Sequence, residues 1–262
     1  MLKFFLILPM FVSLIAGAPA MARPVVAVID SGVARTAELG ESVVAEYDVA
    51  SASPRPAFQP RFDHGTMVAT IIHREAGGNV DIVSFRMDDP AGCPPSFDPP
   101  CQFSALPIAA AIHKAVELGV DAINISLALQ EHPAIVAAVR DAAEQGVMVV
   151  MAAGNNGDAF PSNRSAALAG GTHAVLVGAV DSAGQPWIRT NRPETADAPG
   201  YAYVWRLGVM VPTASAAGTA VAGTGTSFAA PIETAHRVLA IEASRSTGGP
   251  WLGMGVGVGA HR

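Results

Sequence analysis

Cysteine and lysine are scarce in this chain, and charge of either sign is spread thinly. Cys93 and Cys101 are the only cysteines among 262 residues, and two thiols cannot build a structural zinc site unaided. Lysine occurs only at Lys3 and Lys114. Arginine supplies the remaining positive charge, a bias we attribute to base composition and not to function. The formal net charge is −6, with no basic block or stripe, so nucleic acid is not expected as a partner. No internal repeat is present. Long apolar runs are also missing, apart from one at the N-terminus.

That run, Phe4 to Ala18, follows a short positive start at Lys3, is broken by Pro9 and leads into "AGAPAMA". Small residues offer cleavage sites after Ala20 or Ala22. This is the pattern of a secretory signal peptide. A retained anchor is the competing reading, but a bilayer span needs about 20 apolar residues. We therefore expect a signal peptide at 1–22, export to the periplasm or the extracellular space, and no stable membrane span after cleavage. Loss of Lys3 would take the net charge from −6 to −7. One main domain is expected over 23–244, followed by a Gly-rich, disordered tail over 245–262.

Both cysteines sit in "CPPSFDPPC", with four prolines between them. In an exported protein a disulfide closing this short loop is expected, contributing about 2–3 kcal/mol through loop closure. Two free thiols are the alternative.

Five apolar runs do not alternate with polar residues: "VVAVID" (25–30), "VDIVSF" (80–85), "VDAINISL" (120–127), "GVMVVMAA" (146–153) and "HAVLVGAV" (173–180). Such runs suit strands buried on both faces of a parallel sheet. Helical stretches lie between them. One carries Val68, Ile71 and Ile72 at helical spacing; a second carries Ile108, Ile112, Ala115 and Val116; a third opens at Pro133 and stops at Gly146. The expected fold is α/β, a three-layer domain with a mainly parallel central sheet flanked by helices. Residues 187–221 read as loops and minor strands, and "GTSFAAPIETAHRVLAIEA" as the entry into a further helix.

Ligands in such sheets bind beyond the carboxyl ends of the strands. Asp30 ends the first run, and "AAGNNG" with Asn155 follows the fourth. His64 opens a helix in "DHGTMVAT", and Ser227 stands at a helix N-terminus in "GTGTSFAAP". A serine nucleophile needs a base, a carboxylate that orients the base, and oxyanion donors. Each of these residues has a plainer role as turn former or cap, but together they supply all the parts.

Asp-Ser-Gly at 30–32, His-Gly-Thr-x-Val-Ala at 64–69 and Gly-Thr-Ser-x-Ala-x-Pro at 225–231 resemble the three signatures of the subtilisin-like serine peptidases, the subtilases, in that family's order. "INISL" (123–127) and "AAG" (152–154) resemble the segments flanking its primary specificity pocket. "VLVGAVDSAG" and "APG" (198–200) resemble later elements, so the likeness runs from Val25 to about Glu242. It implies Ser227 as nucleophile, His64 as general base, Asp30 as its orienting carboxylate and Asn155 as oxyanion donor. It also implies Ser126, Leu127, Ala128, Ala152, Ala153 and Gly154 as substrate-binding walls, a protein or peptide substrate, and no cofactor.

Some positions depart from the family pattern. The specificity segment reads Ser126-Leu127-Ala128-Leu129 where Ser-Leu-Gly-Gly is usual. The neighbouring wall is the Cys93–Cys101 loop, and Phe228 follows the serine where Met is common. Many subtilases bind calcium; here Asp88-Asp89 lacks further spaced oxygen ligands, so it reads as a solvated turn and no metal is expected. His73, His113, His132, His173, His236 and His261 read as surface or packing residues. No room for a pro-segment is expected between the cleavage site and Val25, which suggests a folding or inhibitory partner in trans. Two functions follow: an exported serine endopeptidase of restricted specificity, or a catalytically silent binding module with a blocked cleft.

Overall fold

A computed structural model describes residues 22–53, 55–95, 100–129, 131–193 and 200–247. The expected leader up to position 21, the tail from 248 and positions 198–199 of the "APG" loop lie outside the described residues. The sheet has seven strands: β1 (Val25–Asp30), β2 (Val43–Asp48), β3 (Asp81–Arg86), β4 (Ala122–Ile125), β5 (Met148–Ala152), β6 (Ala174–Val180) and β7 (Ala202–Leu207). Their order is β2-β3-β1-β4-β5-β6-β7, and every pairing is parallel.

Helices cover both faces, which is why the central strands are apolar on both sides. Ala27, Ile29, Phe85, Ile123, Val149 and Met151 pack into one core. With them pack α2 (Ala105–Glu117), α3 (Pro133–Glu144) and the short α4 (Arg164–Gly170). Val26, Val28, Ile82, Met148, Val150 and Val177 point the other way. They meet α1 (His64–Glu75) and α5 (Thr226–Ser246), and α1 also packs along α5. The three-layer α/β fold is thus what the sequence leads one to expect, with α1, α2 and α3 on the expected stretches.

Two strands escape the sequence reading. β2 and β7 form the sheet's edges and are mostly half-buried, so polar residues mix into them and no apolar run marks them. β7 lies within the stretch expected to hold only loops and minor strands, yet it pairs with β6 over six residues. The minor strands there are β8 (Val211–Ala214) and β9 (Ala220–Gly223), an antiparallel pair.

β1 lies between β3 and β4. The chain leaves β1 toward one edge of the sheet and returns to β4 on the opposite side. Loops diverge at such a switch point and leave a crevice beyond the strand ends. Asp30 is the last residue of β1, at the mouth of that crevice.

Candidate active site

The loop after β1 is tied to the start of α1 by hydroxyls. The Gly65 N–H donates to Ser31 Oγ at 3.0 Å, and the Ala34 N–H to Thr66 Oγ1 at 3.0 Å. Gly65 has no room for a side chain, since a Cβ there would lie 2.3 Å from the Gly32 carbonyl oxygen. This close approach brings His64 onto Asp30. Its Nδ1 lies 2.8 and 2.9 Å from the two carboxylate oxygens. Asp30 is fully buried and also accepts the Ser31 N–H at 2.7 Å. With Nδ1–H donating to Asp30, Nε2 is the free acceptor of the neutral ring. Burial pushes the His64 pKa down; the Asp30 charge and hydrogen bonds push it up and prevail, leaving it above its ordinary value of 6.5.

Ser227 is the second residue of α5, a helix of 21 residues. Its backbone N–H is among the four that a helix start leaves without an intrahelical partner. Gly225 precedes the helix with φ of +145°, a conformation open to glycine. Pro231 has no N–H to offer the Ser227 carbonyl four residues earlier, and an interior proline costs about 3 kcal/mol. Ser126 Oγ donates to that carbonyl instead, at 2.9 Å. Behind it, Asn124 Nδ2 donates to Ser126 Oγ, and Thr234 Oγ1 donates to Asn124 Oδ1. All three side chains are buried, so a chain of satisfied hydrogen bonds supports the backbone beneath the serine.

Thr226 orients Asn155. The Thr226 N–H and hydroxyl both donate to Asn155 Oδ1 at 2.9 Å, and the Gly154 N–H donates to Thr226 Oγ1 at 3.1 Å. With Oδ1 so engaged, Asn155 Nδ2 remains as donor. The Phe228 ring stands 5.6 Å from the His64 ring, tilted by 60°.

His64, Asn155, Thr226 and Ser227 line one cleft of about 620 Å³. No hydrogen bond joins His64 to Ser227 Oγ among the described residues; such contacts are often loose before substrate binds. Of the expected wall residues, Ser126, Leu127, Ala128, Ala152 and Gly154 line the cleft. Ala153 is not in that lining: its N–H donates to Val177 and its carbonyl accepts from Ser162. Cys93 and Cys101 form a disulfide with Cα atoms 5.3 Å apart. Cys101, Gln102 and Phe103 form part of the cleft wall.

The Asp88-Asp89 turn is only partly solvated: Asp89 is half-buried, but Asp88 is not solvated as expected. Asp88 is buried and paired with Arg55 at 3.1 Å and Arg86 at 3.0 Å. No group of three or more candidate metal ligands exists among the described residues. Two contributors to the site escape the sequence reading. Asn163 accepts the Leu129 N–H and donates to the Leu127 and Ala152 carbonyls. Asn191 Oδ1 accepts the Asn156 and Asp158 N–H groups and so fixes the turn after Asn155. Both are lone asparagines in loops, and nothing in their neighbours' identities marks them.

Several solved structures share this fold. The prenylagaramide maturation protease PagA is 21% identical, with a TM-score of 0.66 over 87% of this chain and 78% of its own. A point mutant of the protease domain of PatA is 21% identical, with a TM-score of 0.70 over 88% and 85%. A cold-adapted subtilisin-like serine proteinase is 23% identical, with a TM-score of 0.66 over 86% and 76%. Comparison with curated protein sequences returns no significant match. A model of the subtilase family, however, matches residues 22–250. That match spans the whole sheet, the His64–Asp30 pair and the helix that bears Ser227, and it places this chain in the subtilase family of serine peptidases.

Proposed function

We propose that the protein is an exported serine endopeptidase of restricted specificity in which Asp30, His64 and Ser227 act as a unit. The observation that carries this reading is the His64–Asp30 contact, at 2.8 and 2.9 Å, in the same cleft as Ser227. Ser227 Oγ attacks the carbonyl carbon of the scissile bond while His64 Nε2 takes the hydroxyl proton. The C–N bond breaks, and His64 returns that proton to the leaving amine. Water, deprotonated by His64, then releases the acyl group and restores Ser227. Asp30 holds the ring in the required tautomer and stabilises the imidazolium. Asn155 Nδ2 and the Ser227 N–H stabilise the oxyanion.

The segment 127–129 supports a peptide substrate. Leu127 and Leu129 turn backbone groups toward Asn163. No hydrogen bond among the described residues engages the Ala128 N–H or C=O, which leaves both to pair with an extended peptide. Export is supported by the expected leader and the disulfide; no helix among the described residues is long and apolar enough to cross a membrane. The sheet is built from non-local parallel pairings, which fold slowly and make a partner in trans useful. A silent binding module is disfavoured, because the cleft reaches both His64 and Ser227.

The test is cleavage of peptides blocked at both termini and carrying an internal quenched fluorophore. We expect internal cleavage that Ser227→Ala abolishes. Correctly folded protein that cleaves no member of a diverse library would support the silent module.

A further inference from the structure

Asn163 stands where an asparagine ordinarily caps a helix, just before α4, but its side chain makes no capping bond. Its φ is +65°, in the left-handed region that few residues other than glycine and asparagine occupy. It is only 4% exposed. A residue that forgoes its cap and holds an uncommon conformation is employed elsewhere, and its hydrogen bonds show where. Oδ1 accepts the Leu129 N–H at 2.7 Å. Nδ2 donates to the Leu127 carbonyl at 2.9 Å and to the Ala152 carbonyl at 3.0 Å.

These three groups belong to two different walls of the cleft. Leu127 and Leu129 lie on the segment after β4, and Ala152 ends β5. β4 and β5 pair up to Ile125 and Met151, after which their ends separate and the slot opens. One amide spans that opening, so the two wall carbonyls lie within two hydrogen-bond lengths of each other. Asn163 is absent from the cleft lining itself; it works from behind the walls.

We propose, resting on the peptidase reading above, that Asn163 is a positioning residue. It pins the two walls together and restricts the residue before the scissile bond to small side chains. Parting the walls for a leucine or an aromatic ring would break hydrogen bonds to the buried Ala152 carbonyl and the half-buried Leu127 carbonyl, and a buried polar group left unpaired is costly. Alanine and glycine at Ala128, Ala152 and Gly154 leave a slot whose size depends on the spacing of the backbone.

The experiment uses peptides that differ only in the residue before the cut: Ala, Leu or Phe. The wild type should favour Ala over Phe by about tenfold or more in kcat/KM. Asn163→Gly keeps the left-handed backbone accessible and deletes the amide. It should reduce that preference by about tenfold, mainly through KM for the Phe peptide. Fluorophosphonate inactivation, which reads Ser227 without filling the slot, should stay within about threefold of wild type. Asn163→Asp keeps an acceptor for the Leu129 N–H but turns a carboxylate oxygen toward two carbonyls, and should shift the preference in the same direction. It decides the matter if the glycine variant fails to fold. A wild-type preference for Phe or Leu would overturn the proposal whatever the variants do. So would an unchanged ratio in folded variants that still label. Absence of both labelling and cleavage in the wild type would instead overturn the peptidase reading, and this inference with it.

Discussion

The cleft has two sides that are built differently. On one, Asp30 and His64 are joined by short motifs whose residues hold one another: Ser31 binds Gly65, and Thr66 binds Ala34. On the other, the walls at 126–129 and 152–154 are held by isolated residues from remote loops, Asn163 and Asn191, and the wall at 101–103 adjoins the Cys93–Cys101 bridge. On the proposed reading, the first side constrains chemistry and the second constrains what enters. A change on the chemical side should therefore lower turnover for every substrate, while a change on the wall side should redistribute activity among substrates.

Asn155 sits where the two sides meet, and its substitution should have the largest of these effects. Asn155→Ala removes the Nδ2 donor and strips the Thr226 N–H and hydroxyl of their shared acceptor. We expect kcat to fall by about 10²–10³-fold, the general range for one such donor and one drawn from subtilisin itself. A similar loss for all peptides would place Asn155 with the chemistry. A loss confined to some peptides would place it with the walls.

The pH profile tests the chemical side alone. Base catalysis needs neutral His64, so the acylation rate should rise with pH. Because the Asp30 charge and hydrogen bond together outweigh burial, the midpoint should lie above 6.5. Asp30→Asn removes that charge and leaves burial the largest remaining influence, so the midpoint should drop while the rate also falls. Second-order labelling rates across the range measure both. A midpoint unmoved by Asp30→Asn would separate Asp30 from the base.

The disulfide tests the walls. Residues 101–103 are also anchored by other bonds: the Asp89 N–H donates to the Cys101 carbonyl at 2.8 Å, and Gln102 Nε2 to the Met87 carbonyl at 2.7 Å. The paired substitution Cys93→Ser/Cys101→Ser should cost about 2–3 kcal/mol at most and should alter relative cleavage of library peptides more than the melting temperature. Unchanged specificity with a large drop in Tm would make the bridge a support of the fold instead. The smallest effect is expected from dilute peroxide. Phe228, the neighbour of Ser227, cannot form a sulfoxide, so most activity should survive. Rapid inactivation would point to another methionine near the cleft, with Met87 in its lining the first to replace.

The same division decides what can be read from the sequence. The five central strands are legible because burial on both faces leaves continuous apolar runs, and α1, α2 and α3 because their buried residues recur at helical spacing. The edge strands β2 and β7 are not, because half-burial admits Glu46, Tyr47, Trp205 and Arg206 into them. Asp30, His64 and Ser227 are legible because each sits among neighbours that its geometry requires, such as Gly65 beneath the Gly32 carbonyl. Asn163 and Asn191 reach partners more than thirty residues away and leave no local trace. The buried Asp88 misleads in part for the same reason, since one of its two partners, Arg55, is 33 positions distant, although the other, Arg86, is two away.

The central claim is that Ser227 is the nucleophile and that His64 and Asp30 activate it. Its most direct test is fluorophosphonate labelling of the purified wild type and of Ser227→Ala, His64→Ala and Asp30→Asn, with the modified peptide mapped by mass spectrometry. One adduct on Ser227 is expected, and none in Ser227→Ala. The labelling rate should be at least about 10²-fold lower in His64→Ala, with a smaller loss in Asp30→Asn. An adduct on any other residue, or labelling that persists at the wild-type rate without His64, would contradict it.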